Sequence, residues 1–246
     1  STLTLTATLS GKTYENVVVA ISTNTGSGIA DEGSDFATIS DITISAGSTF
    51  GITTFDPTDD CVIESGNETS TITMSGFTGG GALGHGSNQS KQLTITDDED
   101  SPSITLASSA ASVAESGSDL TLTAAIAGSC TASADITVAL DGTGGSATEG
   151  TDFATVSDIT ITAGQPSGTT TFNPTVDNLY DAASAEIATI DISDVSGSNA
   201  SESGTQQVSI SITDSNSAPT VTLATSADSA TEDGSDLTLT GTLSGA

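Results

Sequence analysis

Carboxylates dominate the chemistry open to this chain. Its 246 residues hold 32 Asp and Glu against two Lys and Arg, a formal net charge of −30. Several acids are closely spaced: Asp59, Asp60 and Glu64; Asp97, Asp98, Glu99 and Asp100; Asp177 and Asp181. Others, Asp35, Glu115, Asp152 and Asp214, stand singly beside stretches of alternating apolar and polar residues. Paired carboxylates can cleave glycosidic bonds, but that chemistry wants a cleft that grips a sugar. Six Phe, two Tyr and no Trp are poor material for an aromatic-lined one. His85 is the single histidine, set in Leu83-Gly84-His85-Gly86. A Ser-His-Asp triad would need it beside a nucleophile and an orienting acid, and in this glycine-flanked stretch it reads as an exposed loop residue. No glycine-rich phosphate loop follows a strand and opens a helix. The residues therefore read as a non-enzyme. Nucleic acid is excluded as a partner, because almost no cation is available to neutralise phosphate. Anionic membrane surfaces are disfavoured for the same reason, and no apolar run approaches spanning length. What the charge favours is a cation, and solubility in salty water, where screening weakens self-repulsion.

The elements that must position these acids repeat. Asp31-Glu32-Gly33-Ser34-Asp35-Phe36-Ala37-Thr38-Ile39-Ser40-Asp41-Ile42 is echoed by Thr148-Glu149-Gly150-Thr151-Asp152-Phe153-Ala154-Thr155-Val156-Ser157-Asp158-Ile159, an offset of 153 − 36 = 117 residues. The same offset joins Phe55-Asp56-Pro57 to Phe172-Asn173-Pro174, and Pro102 to Pro219. It also joins Leu3-Thr4-Leu5-Thr6 to Leu120-Thr121-Leu122-Thr123, and these to Leu237-Thr238-Leu239-Thr240. Such self-similarity at a fixed period is the mark of a repeat architecture. Residues 1–102 form a first repeat without its opening strand, 103–219 a whole repeat, and 220–246 the first two strands of a third. Short linkers at the two prolines imply stacked modules of restricted motion.

Within a repeat, apolar residues alternate with Thr and Ser: Leu120, Leu122, Ala124 and Ile126; Ile136, Val138 and Leu140; Ile159 and Ile161; Ile190 and Ile192; Val208, Ile210 and Ile212. Period two with Thr outward predicts half-buried antiparallel strands, punctuated by Gly, Asn, Asp and Ser. No helical period is present. About seven short strands per repeat predict an all-β chain of tandem seven-stranded antiparallel β-sandwiches, Ig-like in type.

Strand direction alternates in a sandwich, so every second loop lies at one end. Counting through repeat 2, strands over 103–114, 119–127, 135–140, 153–161, 169–172, 187–192 and 206–213 carry Glu115, Asp152, Asp177, Asp181 and Asp214 to the same pole. In repeat 1 that pole gathers Asp35, Asp59, Asp60, Glu64, Asp97 and Asp98. Like charges this close repel unless a cation sits among them. A hard cation taking all-oxygen ligands in tolerant geometry is calcium, whereas magnesium demands a stricter octahedron. Convergence alone leaves two accounts open: a calcium site, or the solvated acidic rim of an acidic protein.

Five stretches resemble the Calx-beta domain. They are Gly33-Ser34-Asp35-Phe36 and Gly150-Thr151-Asp152-Phe153; Asp59-Asp60-Cys61-Val62-Ile63-Glu64; Gly80-Gly81-Ala82-Leu83-Gly84; and Leu93-Thr94-Ile95-Thr96-Asp97-Asp98. The resemblance spans both long repeats. It implies a Calx-beta type sandwich that binds calcium at the acidic pole. By position, Asp35, Asp59, Asp60, Glu64, Asp97 and Asp98 look like the family's metal ligands in repeat 1, and Glu115, Asp152, Asp177, Asp181 and Asp214 in repeat 2. Repeat 2 departs from the pattern, with Asn178 for the second Asp of the pair, Asp181 for the Glu and Ser215 after Asp214. Its site is expected to be weaker.

Cys61 and Cys130 are the only cysteines and are not repeat-equivalent, since the constant offset aligns Cys130 with Thr13. The strand count puts them at the two poles that meet at Pro102, which predicts a disulfide given an oxidising compartment. Asn67, Asn88 and Asn199 each begin a glycosylation pattern, which a chain this rich in Asn, Ser and Thr produces by chance. The expected function is an extracellular or cell-surface structural module, a calcium-stiffened stalk of a bacterial adhesin or filament. The alternative is a calcium-responsive binding or regulatory module. Its partners would be neighbouring repeats of the same or an adjacent chain. The partial repeats at each end fit a window of a longer polypeptide. The other account is a homopolymer in which residues 220–223 of one chain complete repeat 1 of another.

Overall fold

The computed structural model describes residues 1–26, 29–64, 66–81, 90–177, 179–180 and 185–244. All regular structure among them is β, and no helix long and apolar enough to cross a membrane is present. The chain divides into two units, Ser1–Asp100 and Ser101–Ala246.

In the first unit the strands are β1 (Leu3–Thr8), β2 (Val17–Thr23), β3 (Ile42–Ile44), β4 (Phe50–Phe55), β5 (Val62–Ile63), β6 (Glu68–Gly79) and β7 (Ser90–Ile95). One layer is the antiparallel pair β1-β4, and the other is the sheet β3-β2-β6-β7. Alternate residues face inward, so Val17, Val19, Ile42, Ile44, Ser70 and Ile72 are buried while Val18, Thr43, Thr71 and Thr73 between or beside them are not. Phe36 and Phe55 are fully buried with ring centroids 4.7 Å apart. Burial of two aromatic side chains makes this pair a major anchor of the unit.

The second unit contains β8 (Ser103–Ser108), β9 (Ser112–Ala114), β10 (Leu120–Ile126), β11 (Thr131–Ala132), β12 (Ile136–Gly145), β13 (Ile159–Ile161), β14 (Ser167–Phe172), β15 (Glu186–Ser196), β16 (Ser201–Glu202) and β17 (Gln207–Thr213). Two sheets result, β14-β10-β8-β16 and β13-β12-β15-β17-β9. Leu122, Ile136, Ile159, Ile190 and Ile210 are buried inside, with Phe153 and Phe172 paired at 4.9 Å. Beyond them, β18 (Thr220–Thr225) and β19 (Leu239–Ser244) form an antiparallel hairpin.

Several local expectations change. The opening strand of repeat 2 is not continuous. It runs antiparallel to β10 as β8, then crosses to the other sheet and pairs parallel with β17 as β9. The segment 153–158 is irregular, tied by bridges from Phe153 to Glu149 and Pro174, and only Ile159–Ile161 is regular strand. A further short strand, β16, pairs parallel with β8.

The offset is also not constant. Val17 pairs with Ile44 as Ile136 pairs with Ile161, so β2 and β12 are displaced by 136 − 17 = 119 residues while β3 and β13 keep 161 − 44 = 117. Thr13 O accepts from Gly47 N as Ala132 O accepts from Gly164 N, so Thr13 corresponds to Ala132 and Cys130 to Gly11. Gly79 and Gly197 are counterparts in the same sense. Their φ values are 83° and 97°, and a Cβ there would sit 2.1 and 2.3 Å from the carbonyl oxygens of Asn16 and Asp135. Only glycine fits such a turn.

Candidate metal centre

Three segments of the first unit build one acidic cleft. The buried Phe36 holds the first: Gly33 N donates to Phe36 O at 2.8 Å, and Asp35 N to Asp31 O at 3.0 Å. Phe36 also bridges to Pro57, Ala37 N donates to Asp56 O, and Thr58 N donates to Asp35 O at 2.9 Å. The aromatic pair thus brings Asp35 against the chain that leads from Phe55 to Asp59 and Asp60. That second segment turns sharply. Asp60 Oδ1 accepts from Val62 N at 3.1 Å across Cys61, whose φ is 59°. The third segment is the end of β7, fixed by Glu64 N donating to Asp97 Oδ2 at 3.0 Å.

Asp35, Asp59, Asp60, Glu64, Asp97 and Asp98 all line this cleft, with Thr58, Val62, Ile95 and Thr96 between them. Two further acids, Glu68 and Glu99, line it as well. Burial pushes the Glu64 carboxyl up to about 7, aided by the charges of Glu68, Asp60, Asp97 and Asp35. Glu68 is raised by burial, then by the charge of Asp35 and a hydrogen bond shared with it, and by Asp31 and Asp60. Glu99 is raised chiefly by a hydrogen bond with Asp97. These are the shifts expected where carboxylates crowd without an opposing charge.

One atom tests whether a cation fits. Asp31 Oδ1 is buried and has no hydrogen-bond partner among the described residues. A buried carboxylate oxygen without a donor is costly. Asp31 N also donates to Asp35 Oδ2 at 2.5 Å, which holds Asp31 beside the cleft. An all-carboxylate donor set with an unmatched buried oxygen suits a hard cation, and the described residues fit one.

Not every acid nearby belongs to this set. Glu32 Oε1 accepts from Ile39 N at 3.2 Å, and its counterpart Glu149 accepts from Val156 N at 2.9 Å. Both carboxylates are used to tie their own loops.

In the second unit the corresponding pole is drawn together differently. Glu115 is buried; its N donates to Thr213 O, and its Oε2 accepts from Ser215 Oγ at 3.5 Å. Asp152 Oδ2 accepts from Thr148 N at 2.6 Å, and Asp152 O from Thr175 N at 2.9 Å. Asp177 Oδ1 accepts from Leu179 N at 2.7 Å, the same turn that Asp60 makes. Asp177 is therefore the counterpart of Asp60, and Val176 stands where repeat 1 has Asp59. This replaces the pairing of Asn178 with the second Asp. Asp214 Oδ1 accepts from Asn216 N at 2.6 Å. Asn216, in the place of Glu99, donates Nδ2 to Leu179 O at 2.7 Å and to Asp177 O at 3.3 Å. An amide thus links the two loops here, where the first unit has a carboxylate. Asn178, Asp181, His85, Asn88 and residues 82–84 of the glycine-rich turn lie outside the described residues.

Glu68, Asp31 and Glu99 are the acids that residue reading leaves out of the set. Register supplies the missing signal for Glu68. It pairs with Ile95 as Glu186 pairs with Ile212, so each repeat opens this strand with a Glu beside the pole. Cys61 and Cys130 are both disulfide-bonded, and no free cysteine is present.

No family model matches the chain, and no curated protein does. Among solved structures the chain is similar to CBD12 from CALX1.2, with 14% identity and a TM-score of 0.39 over 86% of this chain and 93% of that chain. It is also similar to the calcium binding domain CBD12 of CALX1.1, with 12% identity and a TM-score of 0.36 over 85% of this chain and 92% of that chain.

Proposed function

We propose that the first unit is a calcium-binding structural module of an extracellular protein. The observation that carries this is one cleft lined by eight carboxylates, from the Asp35 loop, the chain from Asp59 to Glu64, the start of β6 and the end of β7. Asp35, Asp59, Asp60, Glu64, Asp97 and Asp98 would hold the ion, with Glu68 and Asp31 supporting them from the side. Bound calcium would supply the positive charge that this group lacks, and it would tie the loop after Phe55 to the end of β7. The second unit would bind more weakly, because Val176, Ser215 and Asn216 replace Asp59, Asp98 and Glu99.

An extracellular setting is supported by the disulfide, since such bonds persist in oxidising compartments, and by the charge of −30, which salt screens. Tandem sandwiches with short connections suit a stalk of an adhesin or surface filament. Calcium would stiffen that stalk by ordering the acidic poles.

Thermal melting of the chain in calcium, in magnesium and in chelator tests the proposal. Calcium should raise the first unit's transition well above its value in chelator, and magnesium should do so less. Equal melting in all three would end the calcium assignment.

A further inference from the structure

In the second unit one strand edge is left open inside the fold. The ladder between β15 and β17 ends at Asp191 opposite Gln207, with one further bond from Ile192 N to Gln206 O at 3.3 Å. Asp194, Val195 and Ser196 pair with β12 on one side, past a bulge at Ser193. On the other side, residues 193–196 have no ladder partner among the described residues. The chain that would cover them is held on the opposite sheet. Ser201 N donates to Pro102 O and Ser203 N to Ile104 O, both at 2.9 Å, which fixes β16 beside β8. Gln206 completes the diversion: its Oε1 accepts from Leu106 N at 3.2 Å, and its Nε2 donates to Ser203 O at 2.6 Å. Where the two paths part, a cleft of about 290 Å³ opens.

Ile192, buried, and Val195 and Ala200, half-buried, give the cleft an apolar lining. Asp194, exposed, and Glu202, half-buried, line it as well. We infer that this cleft takes an extended basic segment of a partner protein, added as a strand along residues 193–196 of β15. An open edge is a template for such an addition, with main-chain hydrogen bonds giving affinity and alternate side chains giving specificity. Four strand residues span about 14 Å, so the contact needs only a short segment. Successive side chains of the added strand face opposite ways. Apolar ones can therefore enter against Ile192, Val195 and Ala200, while basic ones between them meet the carboxylates of Asp194 and Glu202.

Charge selects the partner. The two Lys residues, Lys12 and Lys91, both belong to the first unit, so the second unit supplies no Lys or Arg of its own to Asp194 or Glu202. A second copy of a chain of net charge −30 is repelled, whereas a basic segment is attracted. The cleft is also formed in advance. Gly197 turns at a φ of 97°, Ala200 N donates to Gly197 O at 2.9 Å, and Ser198 Oγ donates to Ala134 O at 3.1 Å, which orders its closed end. Such preorganisation lowers the cost of binding. The cleft shares no residue with the acidic pole, so this inference stands apart from cation binding there.

Fluorescence anisotropy of the full chain with a labelled Lys-Val-Lys-Val-Lys-Val peptide tests this, at about 0.15 M salt so that diffuse attraction is screened. Binding should saturate at one peptide per chain. The same peptide with methylated backbone nitrogens keeps its charge but loses its donors, and it should bind about tenfold more weakly or worse. Asp194→Lys should weaken binding to a similar degree and leave melting unchanged, because its side chain is exposed. Asp228→Lys makes the same change of charge at a residue that does not line the cleft, and it should bind like wild type. Hydrogen exchange should slow within residues 193–196 when the peptide is bound. No saturable binding, equal affinity for the methylated peptide or for one with Glu in place of Lys, equal effects of Asp194→Lys and Asp228→Lys, or protection that spares 193–196 would each overturn the proposal.

Discussion

Proton and calcium should compete for Glu64, and the two should bend the stability of the first unit in opposite directions with pH. Burial, aided by the charges of Glu68, Asp60, Asp97 and Asp35, lifts Glu64 from 4.5 to about 7. Its folded-state pKa lies above the unfolded value, so its favourable contribution is fully present below 4.5. That contribution is lost as pH rises through 7. In chelator, melting of the first unit should therefore be highest near pH 5 and fall toward pH 8. With calcium the order inverts, because the ion needs Glu64 ionised. At pH 5, two units below 7, that one proton weakens apparent calcium affinity about a hundredfold. At calcium a hundred times its dissociation constant, binding adds about 2.7 kcal/mol, or roughly 10–20 °C for a domain of this size. Calorimetry from pH 5 to 8, in calcium and in chelator, reads both profiles. Glu64→Gln should flatten the chelator profile in this window. Parallel profiles, or a Gln variant with the wild-type pH dependence, would refute the reasoning.

Three further outcomes follow from named contacts. Asp60→Asn keeps an oxygen for Val62 N but removes the charge, so it should lower calcium affinity with little loss of ligand-free stability; Asp60→Ala should lose both, as titration calorimetry and melts would show. Phe36→Ala should cost about 3–5 kcal/mol by denaturant unfolding, and it should weaken calcium binding because Asp35 loses its anchor. Gly197→Ala places a Cβ 2.3 Å from Asp135 O at a φ of 97°, so urea midpoints should fall by about 1–3 kcal/mol of stability; an unchanged midpoint would show that the turn relaxes freely.

Much of the architecture is legible in residue order because side-chain alternation is a local property. Leu120, Leu122, Ala124 and Ile126 point inward since successive residues of a strand face opposite ways, and repetition shows where units recur. Direction counting also carries the six acids of repeat 1 to one end, where they line one cleft. What residue order leaves open depends on which strand edges are available and where ladders slip. The crossing of 103–114 from one sheet to the other needs both the edge beside β10 and the edge beside β17. The offset of 119 residues through β2 and β12 needs pairing, because equal numbers of residues do not mean equal places once loops differ in length. Glu68 reads as the ordinary start of a strand until its register with Ile95 sets it beside the pole.

Amino-acid order by itself determined strand periodicity, the repeat and the surplus of carboxylates, since each follows from neighbouring residues and composition. Tertiary structure alone decided that Glu68 and Glu99 share a cleft with Asp35, that Asp31 Oδ1 is buried unmatched, and that Asn216 closes the second pole with an amide. Those outcomes rest on contacts between segments far apart in sequence. The buried Phe pairs, the backbone bond of Asp35 to Thr58 and the bond from Glu64 N to the Asp97 carboxylate are what bring them within reach.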